Sequence, residues 1–128
     1  MNFFFDNNIS AKMAKAMNLL DDDSHIDHLQ DIFLQGTEDE KWLEYVGTNG
    51  LILITRDKKI TKRRAELSVY RKYRVGAFIL TGKNMKKWDQ VKQLVLAWEK
   101  IKNLAERTVR PFAFQVRAKG KIELNNLL

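Results

Sequence analysis

The sequence predicts an α/β fold in which a mostly parallel central sheet lies between two layers of helices, as one domain over residues 1–128. Three short apolar runs, at residues 3–5, 51–54 and 75–80, have the length and the aromatic or β-branched content of buried strands. Segments with helical periodicity separate these runs. This alternation is typical of parallel sheets that helices cover on both faces, which makes a three-layer α/β/α sandwich.

Two helices are predicted before the central apolar run. The first covers residues 9–20, with Asn8 or Ser10 as the cap of its N-terminus. The second covers residues 37–47, with Thr37 at the first position of a capping-box pattern. Helices in these places return the chain to the start of the next strand, as parallel pairing requires.

The second half of the chain continues the same alternation. A helix is predicted at residues 65–74, and the longest helical pattern covers residues 84–107. A strand at residues 112–117, a turn and a short return strand at residues 122–124 follow. The alternation of Phe112, Phe114 and Val116 predicts one buried face, so we expect this unit at a sheet edge. Apolar side chains recur along the long helix at three- and four-residue steps, which predicts a buried stripe of Met85, Trp88, Val91, Leu94, Val95, Trp98, Ile101 and Leu104.

Two of the predicted strands end in an aspartate. The run Asn2–Phe5 is followed by Asp6, and the run Leu51–Thr55 is followed closely by Asp57. If these strands are parallel neighbours, both carboxylates emerge at the same edge of the sheet, where open α/β sheets place their ligands. Two adjacent carboxylates repel each other unless a proton or a cation lies between them, and their oxygens suit Mg²⁺ or Mn²⁺. The sequence therefore predicts a divalent metal site at this edge.

Other candidate ligands have plausible structural roles. Glu38 and Asp39 lie in the first turn of a predicted helix, where they either stabilise the helix start or point into the crevice, and spacing alone favours the first role. His25 and His28 are three residues apart, and we interpret them as polar residues of a loop or an edge strand rather than as metal ligands.

Charge is distributed unevenly along the chain. Residues 1–57 contain 4 Lys/Arg and 11 Asp/Glu, a formal charge of −7, whereas residues 58–128 contain 19 and 5, a formal charge of +14. A basic region of this kind is typical of nucleic-acid binding, although lysines that only solvate helix faces give the same composition. The candidate RNA contacts follow Asp57 directly and are Lys58, Lys59, Lys62, Arg63 and Arg64.

Several classes of protein are excluded by composition and motif. The chain has no cysteine, which excludes disulfides, thiolate metal sites and cysteine nucleophiles. No apolar run approaches the roughly 20 residues of a membrane span, and we expect a soluble, cytoplasmic protein with no membrane partner. No phosphate-binding glycine loop, dinucleotide signature or serine–histidine–aspartate pattern is present.

Three motifs, taken together and in order, resemble those of a known family. Phe3–Asn8, Gly36–Trp42 and Ile54–Asp57 are similar to the motifs of PIN-like domains of bacterial VapC-type toxins, and most closely to a compact branch with an Asp-Asn first motif and a Thr-Arg-Asp triplet. This resemblance implies a parallel sheet between helices and acids that bind Mg²⁺ or Mn²⁺. It also implies an endoribonuclease that an antitoxin protein controls, and it suggests a homodimer.

The resemblance assigns roles to individual acids. Asp6 matches the first metal-binding acid of the family and Asp57 matches the third. Asp39 best matches the second acid because it stands three residues before Trp42, and Glu38 and Glu40 compete for that role.

The same resemblance assigns supporting roles, and the chain also departs from it. Thr55 would orient Asp57, and Asn7 would bind metal, water or phosphate. Lys58 and Lys59 stand where a further acid is often found in this family, which favours one ion over two. Two alternative functions therefore stay open, namely a non-catalytic nucleic-acid-binding module and a nuclease that acts on flapped or damaged DNA.

Overall fold

The computed structural model of the protein describes residues 1–57 and 64–128, and the side chain of Arg64 lies outside this description. The strands in these ranges are β1 Asn2–Phe5, β2 His25–His28, β3 Ile52–Thr55, β4 Gly76–Leu80, β5 Phe112–Val116 and β6 Ile122–Glu123. The helices are α1 Ala11–Leu20, α2 Leu29–Ile32, α3 Asp39–Thr48, α4 Arg64–Lys72 and α5 Lys87–Arg107.

The strands form a single sheet in the order β2-β1-β3-β4-β5-β6. Every neighbouring pair is parallel except β5 and β6, which form an antiparallel hairpin. β1 lies directly beside β3, with Phe5 opposite Ile54. The predicted α/β fold with a mostly parallel central sheet is therefore confirmed, and the carboxyl ends of β1, β3, β4 and β5 meet at one edge, called here the carboxyl edge.

Side chains alternate between two cores, one on each face of the sheet. Phe3 and Phe5 pack with residues of α1 and α5, whereas Phe4 packs with residues of α3 and α4. All three phenylalanines are completely buried. Burial on both faces explains why β1 and β3 are continuously apolar rather than alternating, and it confirms the predicted three-layer arrangement.

The N-terminus of α1 is capped by a predicted residue, whereas the N-terminus of α3 is not. Ser10 caps α1, and its side chain accepts a hydrogen bond from the amide of Lys12 at 3.2 Å. The prediction that Thr37 caps the next helix is wrong, because α3 begins at Asp39 and the Thr37 hydroxyl donates instead to the carbonyl of Leu34 at 2.6 Å. That hydrogen bond closes the loop before α3 and occupies the hydroxyl.

The predicted apolar stripe of α5 is partly wrong. Trp88 and Val95 are 69% and 59% exposed, whereas the polar side chain of Gln93 is completely buried. Leu94, Trp98 and Ile101 are buried as predicted. Helical spacing marks the face that packs on the sheet, but it does not show that an amide is needed within that face.

The C-terminal hairpin closes one side of the sheet. β6 forms the edge and β5 lies between β4 and β6, so the hairpin lies at the sheet edge as predicted, whereas the prediction of one buried face for its first strand is wrong. Both faces of β5 are covered, since Phe112, Ala113 and Phe114 are all buried. The amide of Leu127 donates to the carbonyl of Ala113 at 3.0 Å, which fixes the C-terminal residues against this strand.

Among the helices in the described ranges, none combines the length and apolar character needed to cross a bilayer.

Candidate active site at the carboxyl edge

Asp6 is held at the end of β1 by neighbours on two sides. The residue is 3% exposed, and its carboxylate accepts hydrogen bonds from the amide of Asn8, at 3.0 Å, and from the hydroxyl of Thr55. Its own amide donates to the carbonyl of Ile54 on β3 at 3.4 Å. The position of this carboxylate is therefore set by the pairing of β1 with β3 and by the turn that follows β1.

Thr55 joins the two aspartates. Its hydroxyl donates to Asp6 and also accepts a hydrogen bond from the amide of Asp57 at 3.0 Å. The residue is completely buried at the last position of β3. One hydroxyl thus orients the Asp6 carboxylate and fixes the backbone that carries Asp57, so the two predicted acids meet at the same edge.

The electrostatic environment of Asp6 favours its protonated form. Its pKa is raised from 3.8 to about 6, mainly by burial and also by the negative charge of Asp57, against the opposing hydrogen bonds from Thr55 and Asn8. The described groups that shift this pKa are neutral or negative, and none is a cation. Ionised Asp6 therefore carries a negative charge that a bound divalent cation would neutralise.

Asp39 is placed differently from the other two predicted ligands. It is the first residue of α3, is exposed, and accepts a hydrogen bond from the indole of Trp42 at 3.1 Å. Across residues 1–57 and 64–128, no three histidine, aspartate or glutamate side chains come together closely enough to hold a metal ion. The structure brings Asp6 and Asp57 together and leaves Asp39 outside that pair, so its role as the second acid stays a prediction.

The two competitors of Asp39 for that role have different surroundings. The carboxylate of Glu40 accepts hydrogen bonds from Lys72, at 3.2 Å, and from the hydroxyl of Tyr73, at 3.0 Å. Glu38 occupies the N-cap position of α3 without a capping hydrogen bond from its side chain. Glu40 is thus engaged with the end of α4 rather than with the sheet edge.

Tyr70 is a residue of this site that sequence reasoning missed. It projects from α4 and is 3% exposed. Its pKa is raised well above the ordinary value by burial, then by the negative charges of Asp6, Asp57, Glu66 and Asp39. The phenol therefore stays protonated in the field of four acids. Its apolar position on a basic helix was the available signal, but only the packing of α4 against the sheet shows which acids surround it.

Arg56 and Gln93 organise the carboxyl edge beyond the two aspartates. The Arg56 guanidinium donates to the side-chain oxygen of Gln93 at 2.7 Å and to the sulfur of Met85 at 3.4 Å. The amide nitrogen of Gln93 lies within hydrogen-bond distance of the carbonyls of Thr81, at 2.7 Å, and Val116, at 3.1 Å. One buried amide thus ties together the ends of β3, β4 and β5, which explains why the core of α5 contains a glutamine.

Asn7 lies beside the acids on the wall of an open cavity. This cavity has a volume of about 410 Å³ and is formed mainly by α2 and the loop that follows it, including Gln30 and Phe33. The side chain of Asn7 is exposed. The side-chain amide of Asn7 is therefore accessible to a ligand that enters the cavity from solvent.

The two histidines take structural positions on edge strand β2. His28 is buried, and its ring is hydrogen-bonded to the carbonyl of Ile9 at 2.7 Å and to the amide of Gln30 at 3.2 Å. His25 is exposed and pairs with Asp27 at 2.9 Å. This agrees with their interpretation as polar residues of an edge strand.

Most of the predicted RNA-binding residues belong to the segment between β3 and α4. Lys58, Lys59, Lys62 and Arg63 lie outside the described residues, and Arg64 is the first residue of α4 with an undescribed side chain.

Comparison with known proteins identifies the family. A family model described as a PIN-like domain matches residues 1–82, which is more than half of the chain. No curated protein and no solved structure gives a significant match. The matched stretch contains Asp6, Asp39 and Asp57, and with the parallel sheet it shows that this chain belongs to the family of PIN-like domains.

Proposed function

We propose that this chain is a cytoplasmic, metal-dependent endoribonuclease and the toxin component of a toxin–antitoxin pair. The observation that carries the proposal is the meeting of Asp6 and Asp57 at the ends of adjacent parallel strands, joined through the Thr55 hydroxyl. Membership of the PIN-like family supports it, because these domains are generally nucleases. RNA as substrate, an antitoxin as partner and a homodimer as assembly follow from the resemblance to VapC-type proteins.

The donor set fits a hard divalent cation in chemistry and in charge. Asp6 and Asp57 supply carboxylate oxygens, which Mg²⁺ and Mn²⁺ prefer, and the described groups that shift the pKa of buried Asp6 include no cation. Asp39 is the third proposed ligand and would exchange its hydrogen bond with Trp42 for that role. The proposed ion is therefore held mainly by the pair, with Asp39 completing its coordination.

Each residue at the edge has a defined part in the proposed reaction. When bound, the cation supplies activation of water and neutralisation of charge on the phosphate. Thr55 and the amide of Asn8 keep the Asp6 carboxylate in place, so little reorganisation accompanies substrate binding. Tyr70 stays protonated and provides a neutral donor beside the acids. Asn7 is proposed to bind water or phosphate, and the basic residues 58–64 are proposed to bind the RNA backbone.

One observation favours a second candidate, a non-catalytic RNA-binding module. Within the described part of the chain, no three acids are grouped as a metal site, and a domain that lost activity would show the same arrangement. This candidate predicts RNA binding that weakens steeply with salt and no cleavage with any divalent ion.

Cleavage of RNA by matched variants separates the two candidates. The purified chain and its Asp57→Asn and Asp22→Asn variants are incubated with structured and unstructured RNA in Mn²⁺, Mg²⁺ or EDTA. Asp22 is an exposed acid in the turn after α1, so its substitution controls for the loss of one negative charge. The proposal predicts metal-dependent cleavage that Asp57→Asn abolishes and Asp22→Asn retains. Cleavage that persists in Asp57→Asn would contradict the site, and salt-sensitive binding without cleavage would favour the second candidate.

A further inference from the structure

A basic cavity opens at the carboxyl edge beside the candidate active site, at the ends of β4 and β5. It has a volume of about 330 Å³, and its walls include the exposed side chains of Lys83, Lys92 and Lys119. Asp89 also contributes to the wall, but its carboxylate pairs with Lys92 at 3.6 Å and accepts a hydrogen bond from the amide of Lys86 at 3.2 Å. The cavity therefore presents positive charge to solvent.

Two of its lysines are available for a ligand. Neither Lys83 nor Lys119 forms an ion pair with any residue in the ranges 1–57 and 64–128. Lys83 follows β4 and Lys119 lies in the turn after β5, so the pairing of these strands brings the two residues to the same cavity.

Direct contacts connect this cavity to the candidate active site. Met85 lies on its wall and accepts a hydrogen bond from Arg56, the residue between Thr55 and Asp57. Arg56 also contacts Gln93, which holds the ends of β4 and β5 together. The position of the lysines relative to Asp57 is therefore fixed by the fold.

The order of the strands sets the spacing between the acids and the lysines. Neighbouring strands are about 4.8 Å apart, so the ends of β4 and β5 lie about 5 to 10 Å along the edge from the end of β3. A strand of nucleic acid that crosses the edge would meet the carboxylates at β1 and β3, then the lysines at β4 and β5. Phosphates bind lysines by charge and without regard to sequence.

We infer that Lys83 and Lys119, with Lys92, bind the phosphate backbone of the substrate RNA beside the bond that is cut. This inference rests on the proposed function and adds a second contact surface to it. These lysines follow residue 82, outside the stretch that matches the PIN-like family model. They are thus supplied by the part of the chain that the family match does not cover.

The molecule contains a matched control for this inference. A second cavity, of about 350 Å³, lies toward the C-terminal end of α5 and is also lined by cations, among them Lys100 and Arg107. Both of these side chains are exposed, as Lys83 and Lys119 are. The two cavities are similar in size and charge and differ in their distance from the aspartate pair, so comparing them separates position from charge.

RNA binding by two double variants tests the inference. Binding of a fluorescent single-stranded RNA is measured by anisotropy in EDTA over a series of salt concentrations. Lys83→Gln with Lys119→Gln is compared with Lys100→Gln with Arg107→Gln, after circular dichroism has shown that both are folded. The first pair is expected to weaken binding about tenfold and to reduce the salt slope by about 1.4, since two phosphate contacts are lost. The second pair is expected to change affinity less than about twofold.

The RNA-binding and RNA-cleavage experiments can fail independently, so they distinguish a failure of the lysine contacts from a failure of the proposed nuclease activity. Equal losses in the two double variants, no loss in the first, or no RNA binding by the parent chain would each overturn the inference. If binding responds as expected but no metal-dependent cleavage is found, the nuclease proposal fails and the lysine surface stands. If cleavage is found and the first pair affects neither binding nor cleavage, the inference fails alone.

Discussion

Asp6 and Asp21 are acids at opposite edges of the same sheet, and their surroundings are opposite in kind. Asp21 follows α1 and accepts hydrogen bonds from the indole of Trp98 at 2.6 Å, from Ser24 at 2.8 Å and from the ammonium of Lys102 at 3.1 Å. The hydrogen bond from Trp98 is the largest of the effects that hold the pKa of Asp21 well below its usual range. By contrast, burial raises the pKa of Asp6 to about 6.

The difference lies in how each charge is compensated. Asp21 has a cation and several donors, so its ionised form stabilises the fold by connecting α1 with α5. Among the described residues, Asp6 has neutral donors and a second carboxylate nearby, and its raised pKa shows that its ionised form is costly. An acid that is buried at a ligand-binding edge, with its pKa raised in this way, is a candidate for binding an external cation.

The largest expected effect is on catalysis, at the carboxyl edge. Asp57→Asn keeps the shape of the side chain but removes the second charge of the pair. We expect ribonuclease activity to fall by about 10²–10³-fold or more, the effect of removing one preorganised charged group. Initial rates of RNA cleavage check this result. A rate within a few-fold of the parent would show that the pair is not the active site.

The second effect is a pH dependence of stability between about pH 4 and pH 6, which the raised pKa of Asp6 produces. Because its pKa is about 6 in the folded chain and 3.8 ordinarily, the folded state binds more protons between these values, and stability falls as pH rises from about 4 to above 6. The full difference corresponds to about 3 kcal/mol. Asp6→Asn is expected to remove this slope and to be the more stable protein at pH 7.5. Urea unfolding of the parent and of Asp6→Asn at several pH values measures this difference in the free energy of unfolding. Parallel pH profiles of the two proteins would contradict the assignment of the slope to Asp6.

The third effect is a loss of stability on substitution of Asp21, opposite in sign to the gain expected for Asp6→Asn. Asp21→Asn removes charge-assisted hydrogen bonds, so we expect a loss of about 2 kcal/mol in the free energy of unfolding at neutral pH. Because its folded pKa is depressed, this contribution is present above the ordinary pKa and is lost as pH falls below about 4. RNA cleavage by the folded variant should match the parent. An Asp21→Asn variant with the stability of the parent but without activity would contradict the assignment of Asp21 to stability and of Asp6 to catalysis.

The smallest effect concerns the hydroxyl that joins the pair. Thr55→Val removes the donor to Asp6 and the acceptor for the amide of Asp57, and we expect a loss of about 1 kcal/mol. Since the hydrogen bond from Thr55 lowers the pKa of Asp6, the stability profile of this variant should shift to higher pH. Thr55→Ser keeps the hydroxyl and should keep the parent profile. Identical shifts in the two variants would show that the Thr55 hydroxyl is not their cause.

The sequence contained the information that places Asp6 and Asp57, because continuous apolar runs mark buried parallel strands and an acid after each must emerge at their carboxyl ends. It did not contain the surroundings of these acids. Tyr70 and Gln93 reach the edge from helices whose packing depends on the whole sheet. The hydrogen bond of Asp39 to Trp42 was also missed, since helical spacing permits it but does not require it.

The position of Lys83 and Lys119 at one cavity could not be predicted from the sequence either. These residues are far apart in the chain, and they line the same cavity because β5 pairs with β4 in parallel, with Leu80 opposite Val116. Residue patterns predict each strand but not which strands are neighbours. The basic second half was recognised from its charge, whereas the cavity became visible only in the fold.

Calorimetric titration of Mn²⁺ into the parent chain, Asp6→Asn and Asp21→Asn tests most directly whether the carboxylates of Asp6 and Asp57 form a cation site. We predict that the parent and Asp21→Asn bind the ion, with affinity that increases as pH rises through about 6, and that Asp6→Asn does not. Equal binding by the parent and by Asp6→Asn, or no binding by the parent at any pH, would contradict the assignment of Asp6 and Asp57 as a metal site.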